Sequence, residues 1–188
     1  KNYSDLYSLN PVPTEDQIQE AHHLANLRSQ GTPIQHLLGH QYFLNHDYVV
    51  NASVLAPRPE TEVLVDSVFK WIDSIPETFR FAELGLGSGI ISCELLARYR
   101  HASGLGSEVS PDAISVAHQN LTSVVGHHWE KRFQILESPS TTTGFEVFLS
   151  QAPFDLVVSN PPYVSLSDEI DAEVLNHEPH LALFPTLE

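Results

Sequence analysis

Apolar positions recur at helical spacing in the first third of the chain, then contract beyond residue 80 into short runs separated by helical segments. In residues 14–30, "TEDQIQEAHHLANLRSQ", Ile18, Ala21, Leu24 and Ala25 share one helix face. Thr14 can cap that helix, Glu15 and Asp16 suit its positive end, and Gly31-Thr32-Pro33 stops it. Residues 41–56, "QYFLNHDYVVNASVLA", are rich in β-forming residues around the turn-type "NHD", which predicts a hairpin or short sheet. "PRPETEVLVDSVFKWI" follows, with a proline entry, Glu60 and Glu62 in the first turn, and Val63, Leu64, Val68 and Trp71 at helical spacing.

From residue 80 strands and helices alternate. "RFAEL", "RFQIL" and "FDLVVS" read as strands, and "GIISCELLARYR" as a helix with Ile91, Leu95 and Leu96 inward and Arg98 and Arg100 at its negative end. "SPDAISVAHQNL" opens another helix, with Ser110 as N-cap and Pro111 at the first helical position. Between those helices "GLGSE", residues 104–108, takes the place of a strand, although its two glycines make it a poor one by propensity. Such alternation predicts an α/β fold, a doubly wound Rossmann-like sheet of parallel strands that binds ligands at their carboxyl ends.

Composition narrows the classes. The 188 residues suffice for one domain with a small appendage, and a hydrophobic content of 41% supports a real core. No apolar run approaches the roughly 18 residues of a membrane span, and the first thirty residues have no signal-peptide core. Cys93 is the single cysteine, so the default compartment is reducing: cytoplasmic, or mitochondrial. In its helix Cys93 reads as packing rather than as a nucleophile. A net charge of −15 argues against a nucleic-acid substrate. Eleven histidines invite a metal, but the pairs His22-His23 and His127-His128 diverge on a helix, and His36 and His40 flank "LLG" without a zinc-protease glutamate, so no metal is expected. The chain contains no methionine, which reads as a start inside a longer protein.

"ELGLGSG", residues 83–89, lies between a strand and a helix, where glycines let a ligand rest against bare backbone. Ile90 stands where the dinucleotide fingerprint wants a small residue, and the loop has no P-loop lysine. Glu83 before the glycines and Glu108 about 20 residues on suit the hydroxyls of a ribose, and S-adenosylmethionine is one ligand that offers them.

About seventy residues past that loop, "FDLVVSNPPYV" ends a strand in two prolines. Here the chain resembles the amino-methyltransferases with an Asn/Asp-Pro-Pro-Tyr/Phe corner. More closely, through "PIQHLLGHQYF", "LAPRPETEVLV", "ELGLGSGIIS", "EVSPDAISVAHQN", "FDLVVSNPPYV" and "EPHLAL", it resembles the HemK (PrmC) family, the protein-(glutamine-N5) methyltransferases of peptide-chain release factors. The likeness runs from about Thr32 to Leu183, and "PRPETE" looks like the release-factor branch rather than the sibling that modifies a ribosomal protein.

The resemblance implies S-adenosylmethionine as cofactor, held by Glu83, Gly85, Leu86, Gly87, Ser88, Gly89, Glu108, Ser140 and Asn160. Asn160, Pro161, Pro162 and Tyr163 would form the catalytic corner, with Arg58 and Glu62 at the mouth of the substrate site. It implies a release factor as protein partner, approached by a monomer without membrane or DNA binding. Residues 1–38 would be part of a helical docking segment, 39–57 a hairpin linker, and 58–188 a methyltransferase domain whose last strands are missing, so the chain reads as a fragment.

The amide chemistry is consistent with this corner. An amide nitrogen is a poor nucleophile because its lone pair is delocalised. The Asn160 side-chain oxygen and the Pro161 carbonyl could hold both N–H hydrogens, while the Tyr163 ring covers the planar amide. The chain departs from the family pattern in two places. Glu replaces Asp at Glu83 and Glu108, and "ILESPS" offers Pro139 and Ser140 where an acidic and a bulky residue would meet adenine, with Glu137 as a substitute acid. The sequence also admits two alternatives: an adenine-N6 DNA methyltransferase, and a cofactor-binding module without catalysis.

Overall fold

The computed structural model of the protein describes residues 12–75, 78–165 and 167–184. The ends of the expected docking segment and methyltransferase domain, residues 1–11 and 185–188, lie outside the described residues. Helices α1 (Glu15–Ser29) and α2 (Ile34–Leu38) come first, then an antiparallel hairpin of β1 (His40–Phe43) and β2 (His46–Val49), then α3 (Pro59–Ile72). The alternating part follows as β3 (Arg80–Leu84), α4 (Ile90–Arg98), β4 (Ser103–Glu108), α5 (Pro111–Val124), β5 (Phe133–Glu137), α6 (Thr141–Gln151) and β6 (Leu156–Ser159). Two short helices, α7 (Ala172–His177) and α8 (His180–Leu183), close it.

The central sheet is all parallel in the order β5-β4-β3-β6, so strand order reverses between β3 and β6. An open sheet of this kind leaves a crevice outside the strand ends at the reversal. Helices cover both faces, because the pleat sends successive side chains to opposite sides. Phe81 joins one large core with Leu86, Leu95, Leu96, Leu121 and Phe133, whereas its neighbour Ala82 packs with Leu105 and Phe148 of α6. The predicted doubly wound α/β fold is therefore present.

The unpromising strand "GLGSE" has a packing reason. Gly104 pairs with Phe81 on one side and Phe133 on the other, and those two rings stack across it at 5.5 Å with a 22° interplanar angle. A Cβ on Gly104 would lie 2.2 Å from the Phe81 carbonyl oxygen. Gly104→Ala is therefore expected to cost about 3 kcal/mol and to lower Tm by roughly 10 °C, measured by calorimetry. A change of less than about 1 °C would show that β4 has room to yield.

Other expectations need correction. Thr14 caps α1 through a capping box with Gln17, but the Ile18 face is not buried: no residue of α1 is. In α3 the buried stripe is Thr61, Val65, Val68 and Ile72, while Val63 is 67% and Trp71 44% exposed. Apolar residues occur nearly all round that helix, so periodicity did not select the right face. The hairpin ends at Val49 rather than near residue 56. Helix α6 was not expected; its "TTTG" start is built of poor helix formers, and Ser140 caps it by accepting from the Thr143 N–H. In α4, Ile91, Leu95 and Leu96 are buried as predicted, and Cys93 is buried with burial pushing its thiol pKa up. No helix among the described residues is long and apolar enough to cross a membrane.

Candidate functional site

At the reversal between β3 and β6 lies a cleft of about 340 Å³. Its floor is the turn from β3 into α4. Gly85 and Gly87 have φ of +71° and +55°, and a Cβ on either would meet only open space. Left-handed backbone here favours glycine, and the bare loop leaves room for a ligand. Gly89 is different: it abuts Ala117 of α5 and lies outside the cleft lining, so its part is close helix packing.

Two carboxylates brace this turn. Glu83, 1% exposed, accepts from the Ser92 backbone N–H and hydroxyl, serving the first turn of α4, where Gly89 has no side chain to cap with. Burial pushes its carboxyl up to about 8, against the lowering by the Ser92 hydrogen bonds, with Glu108 adding to the rise. Between about pH 4.5 and 8 the unfolded chain gives up this proton while the folded protein keeps it, so stability falls as pH rises through that window. Glu83→Gln cannot ionise and is expected to flatten that fall. Tm followed from pH 5 to about 8 in both proteins checks it, and equal slopes would refute the assignment.

Glu108 ends β4. Its Oε2 accepts from Gly87 N–H (2.7 Å) and its Oε1 from Val109 N–H (2.8 Å) and Ser110 N–H (3.0 Å). The carboxylate thus clamps the glycine turn, and with about four acceptor sites in all it keeps one, on Oε2, for a ligand hydroxyl. Asn120, which the sequence did not single out, is fully buried and holds the turn from behind. Its Nδ2 donates to the Ser88 carbonyl (2.8 Å) and the Val49 carbonyl (3.0 Å), and its Oδ1 accepts from Val49 N–H (2.8 Å). An uncharged side chain inside "AHQN" gives no sequence signal for such a contact.

The opposite wall carries the proline corner. Asn160 Nδ2 donates to Thr61 Oγ1 at 3.4 Å, which ties "NPPY" to "PRPETE" and leaves the Asn160 Oδ1 lone pairs as acceptors. Arg58, Ser140, Asn160 and Pro162 line the cleft together with Glu83, Gly85, Leu86, Gly87, Ser88 and Glu108. Pro161, Tyr163 and Glu62 lie outside the lining, Tyr163 being 81% exposed. Glu137 is exposed and also outside it. Residues 52–55, expected to be part of a linker hairpin, form a loop that lines the cleft instead. Among the described residues no group of three or more His, Cys, Asp or Glu side chains is placed to hold a metal ion.

The family model described as conserved hypothetical protein 95 matches residues 50–183. The chain belongs to this family. Curated relatives carry the name that the motifs suggest: a release factor glutamine methyltransferase of Caulobacter vibrioides is 38% identical over 172 residues, covering 89% of this chain and 56% of that protein. A bifunctional methyltransferase of Rickettsia typhi is 35% identical over 198 residues, covering 95% of this chain and 37% of that protein. The resemblance to the HemK family is thus met, and the chain spans from about a third to just over half the length of these relatives. Among solved structures, the hMettl16 catalytic domain in complex with an RNA hairpin aligns at a TM-score of 0.51 and 14% identity, covering 86% of this chain and 67% of that one. A methyltransferase from Agrobacterium tumefaciens aligns at 0.50 and 14%, covering 65% and 39%. These likenesses show the fold alone, an open parallel α/β sheet covered by helices.

Proposed function

We propose that this chain is the catalytic part of an S-adenosylmethionine-dependent methyltransferase that modifies the N5 amide of a glutamine in a peptide-chain release factor, at a Gly-Gly-Gln sequence. The observation that carries the reading is the meeting of the glycine turn and the Asn160 corner on one cleft at the strand-order reversal. The residues suit the cofactor: Gly85 and Gly87 present no Cβ to the cleft, Glu108 Oε2 keeps an acceptor site, and Ser140 leaves a small side chain at the wall. S-adenosylmethionine supplies an electrophilic sulfonium methyl group. Asn160 Oδ1 and the Pro161 carbonyl accept the two amide N–H hydrogens and turn the nitrogen lone pair toward that group. Held so by Asn160 and Pro161, the nitrogen would take up the methyl group that the bound cofactor would supply as an electrophile, and its surplus proton would pass to water. Pro162 stiffens the corner, and the exposed Tyr163 ring is free to fold over the incoming amide. Positioning of this kind supplies several kcal/mol without a dedicated base.

The partner is a release factor, met by a monomer in the cytoplasm or a mitochondrion, with the N-terminal helices on the docking side. Titration calorimetry with S-adenosylmethionine, with labelled-methyl transfer offered to release factor and to DNA, tests the reading. Label at a release-factor glutamine is expected. Label in DNA, or no cofactor binding, would overturn it.

A further inference from the structure

Glu178, in "EPHLAL", is a buried carboxylate that the cofactor and amide chemistry leave unused. Its Oε1 accepts from Arg58 Nη2 at 2.5 Å, while Oε2 is buried without a hydrogen-bond partner among the described residues. Arg58 is 43% exposed in its side chain and lines the cleft; Pro179, Leu181 and Ala182, next along the chain from Glu178, form part of the wall. The backbone around Glu178 is anchored on both sides. Glu178 N–H donates to the Val174 carbonyl (3.0 Å), and Val164 N–H, just past the proline corner, donates to the Leu183 carbonyl (3.1 Å). His177 Nε2 pairs with the Gln30 carbonyl (2.8 Å) beyond α1.

A carboxylate buried with one oxygen unpaired is poor value for stability, since a well-packed apolar side chain of similar volume does as well or better. What it does provide is a fixed point for a long, entropically loose arginine. A guanidinium has five N–H donors in a planar fork, and this pair engages only its Nη2 end.

We propose that Glu178 is a positioning residue: it holds Arg58 across the mouth of the cleft, so that the remaining guanidinium N–H groups take backbone carbonyls of the polypeptide that presents the target amide. The assignment of those carbonyls rests on the protein-substrate reading above. Polypeptide backbone flanking a glutamine offers such acceptors on both sides, and the planar fork can engage two at once. Glu178 itself touches neither cofactor nor substrate.

The test uses the full chain and compares wild type, Glu178→Gln, Arg58→Ala and the double variant, with release factor as substrate. Glu178→Gln is expected to raise KM for the release factor about tenfold while leaving kcat and the S-adenosylmethionine Kd within about twofold. The double variant should be no worse than Arg58→Ala, because both changes remove one device. Additive losses, or a Glu178→Gln effect on kcat or cofactor Kd, would overturn the proposal in favour of a merely structural wall. Should Glu178→Gln not fold, Glu178→Asp replaces it under the same criteria. A readout without substrate separates the clamp from the function. Arginine side-chain NMR should show restricted rotation of the Arg58 guanidinium in wild type and free rotation in Glu178→Gln; equal mobility overturns the clamp. Absence of methyl transfer by wild type sinks the protein-substrate reading and the carbonyl assignment with it, while the NMR result still decides the clamp.

Discussion

Asn160→Ala is expected to lower kcat for methyl transfer by about a hundred- to a thousandfold and to change cofactor affinity little. The proposed chemistry has no acid or base whose loss could be the larger defect; what the enzyme contributes is the direction of an amide lone pair. In that proposal Asn160 supplies a side-chain acceptor for the purpose, and its amide plane is held by the bond from Nδ2 to Thr61. Alanine removes the acceptor but leaves Pro161 and Pro162 in place, so the corner keeps its shape and the loss falls on the reacting geometry. Single-turnover transfer of labelled methyl, with calorimetric binding of S-adenosylmethionine as control, measures both quantities. A variant that binds cofactor a hundredfold more weakly but transfers methyl at a normal rate once saturated would move Asn160 from the amide to the cofactor.

Glu108→Gln is expected to raise the S-adenosylmethionine Kd about a hundredfold, near 3 kcal/mol. The wild-type carboxylate accepts from three backbone N–H groups, of Gly87, Val109 and Ser110, and such bonds to an ionised acceptor are strong. A glutamine side chain offers one oxygen and turns an NH2 group toward the remaining donors. Either Gly87 or the Val109–Ser110 pair then loses its partner, and the turn no longer holds the conformation that leaves the cleft floor bare. The same substitution weakens acceptance of a ribose hydroxyl. The variant should still fold, because Gly85 and Leu86 N–H groups both remain tied to the Ser107 carbonyl at 3.0 Å. Calorimetric titration beside a thermal melt distinguishes the outcomes. An unchanged Kd removes Glu108 from the cofactor site, and a collapse of the melt makes its role structural.

Particular residues show how far the sequence could be read. Thr14, Ser110 and Pro111 marked helix starts correctly because capping is local: the side chain and the N–H groups it satisfies lie within three residues. The inward residues of α4 were legible for a different reason: every residue from Ile90 to Leu96 is buried, so any apolar position in that run lies inside. The faces of α1 and α3 were not. Ile18 lies on a helix that buries nothing, and the apolar surround of α3 permits several orientations, of which packing took the one through Val65 and Ile72.

The site divides in the same way. Glycines at a strand–helix turn and an Asn-Pro-Pro corner are chemical rarities that local spacing reveals. Their meeting on one cleft follows from strand order, and so do the bond from Asn160 to Thr61 and the grip of Asn120 on Ser88. Arg58 and Glu178 are 120 residues apart, and no periodicity connects them.

The sequence by itself determined the class of fold, the caps of α1 and α5, the glycine turn and the proline corner, because each depends on residues that are neighbours along the chain. Only the tertiary structure decided which helix faces are buried, why β4 tolerates its glycines, and what Glu108, Asn120 and Glu178 hold. Those depend on contacts across strands and between ends of the chain, where one Cβ 2.2 Å from a carbonyl oxygen outweighs any propensity.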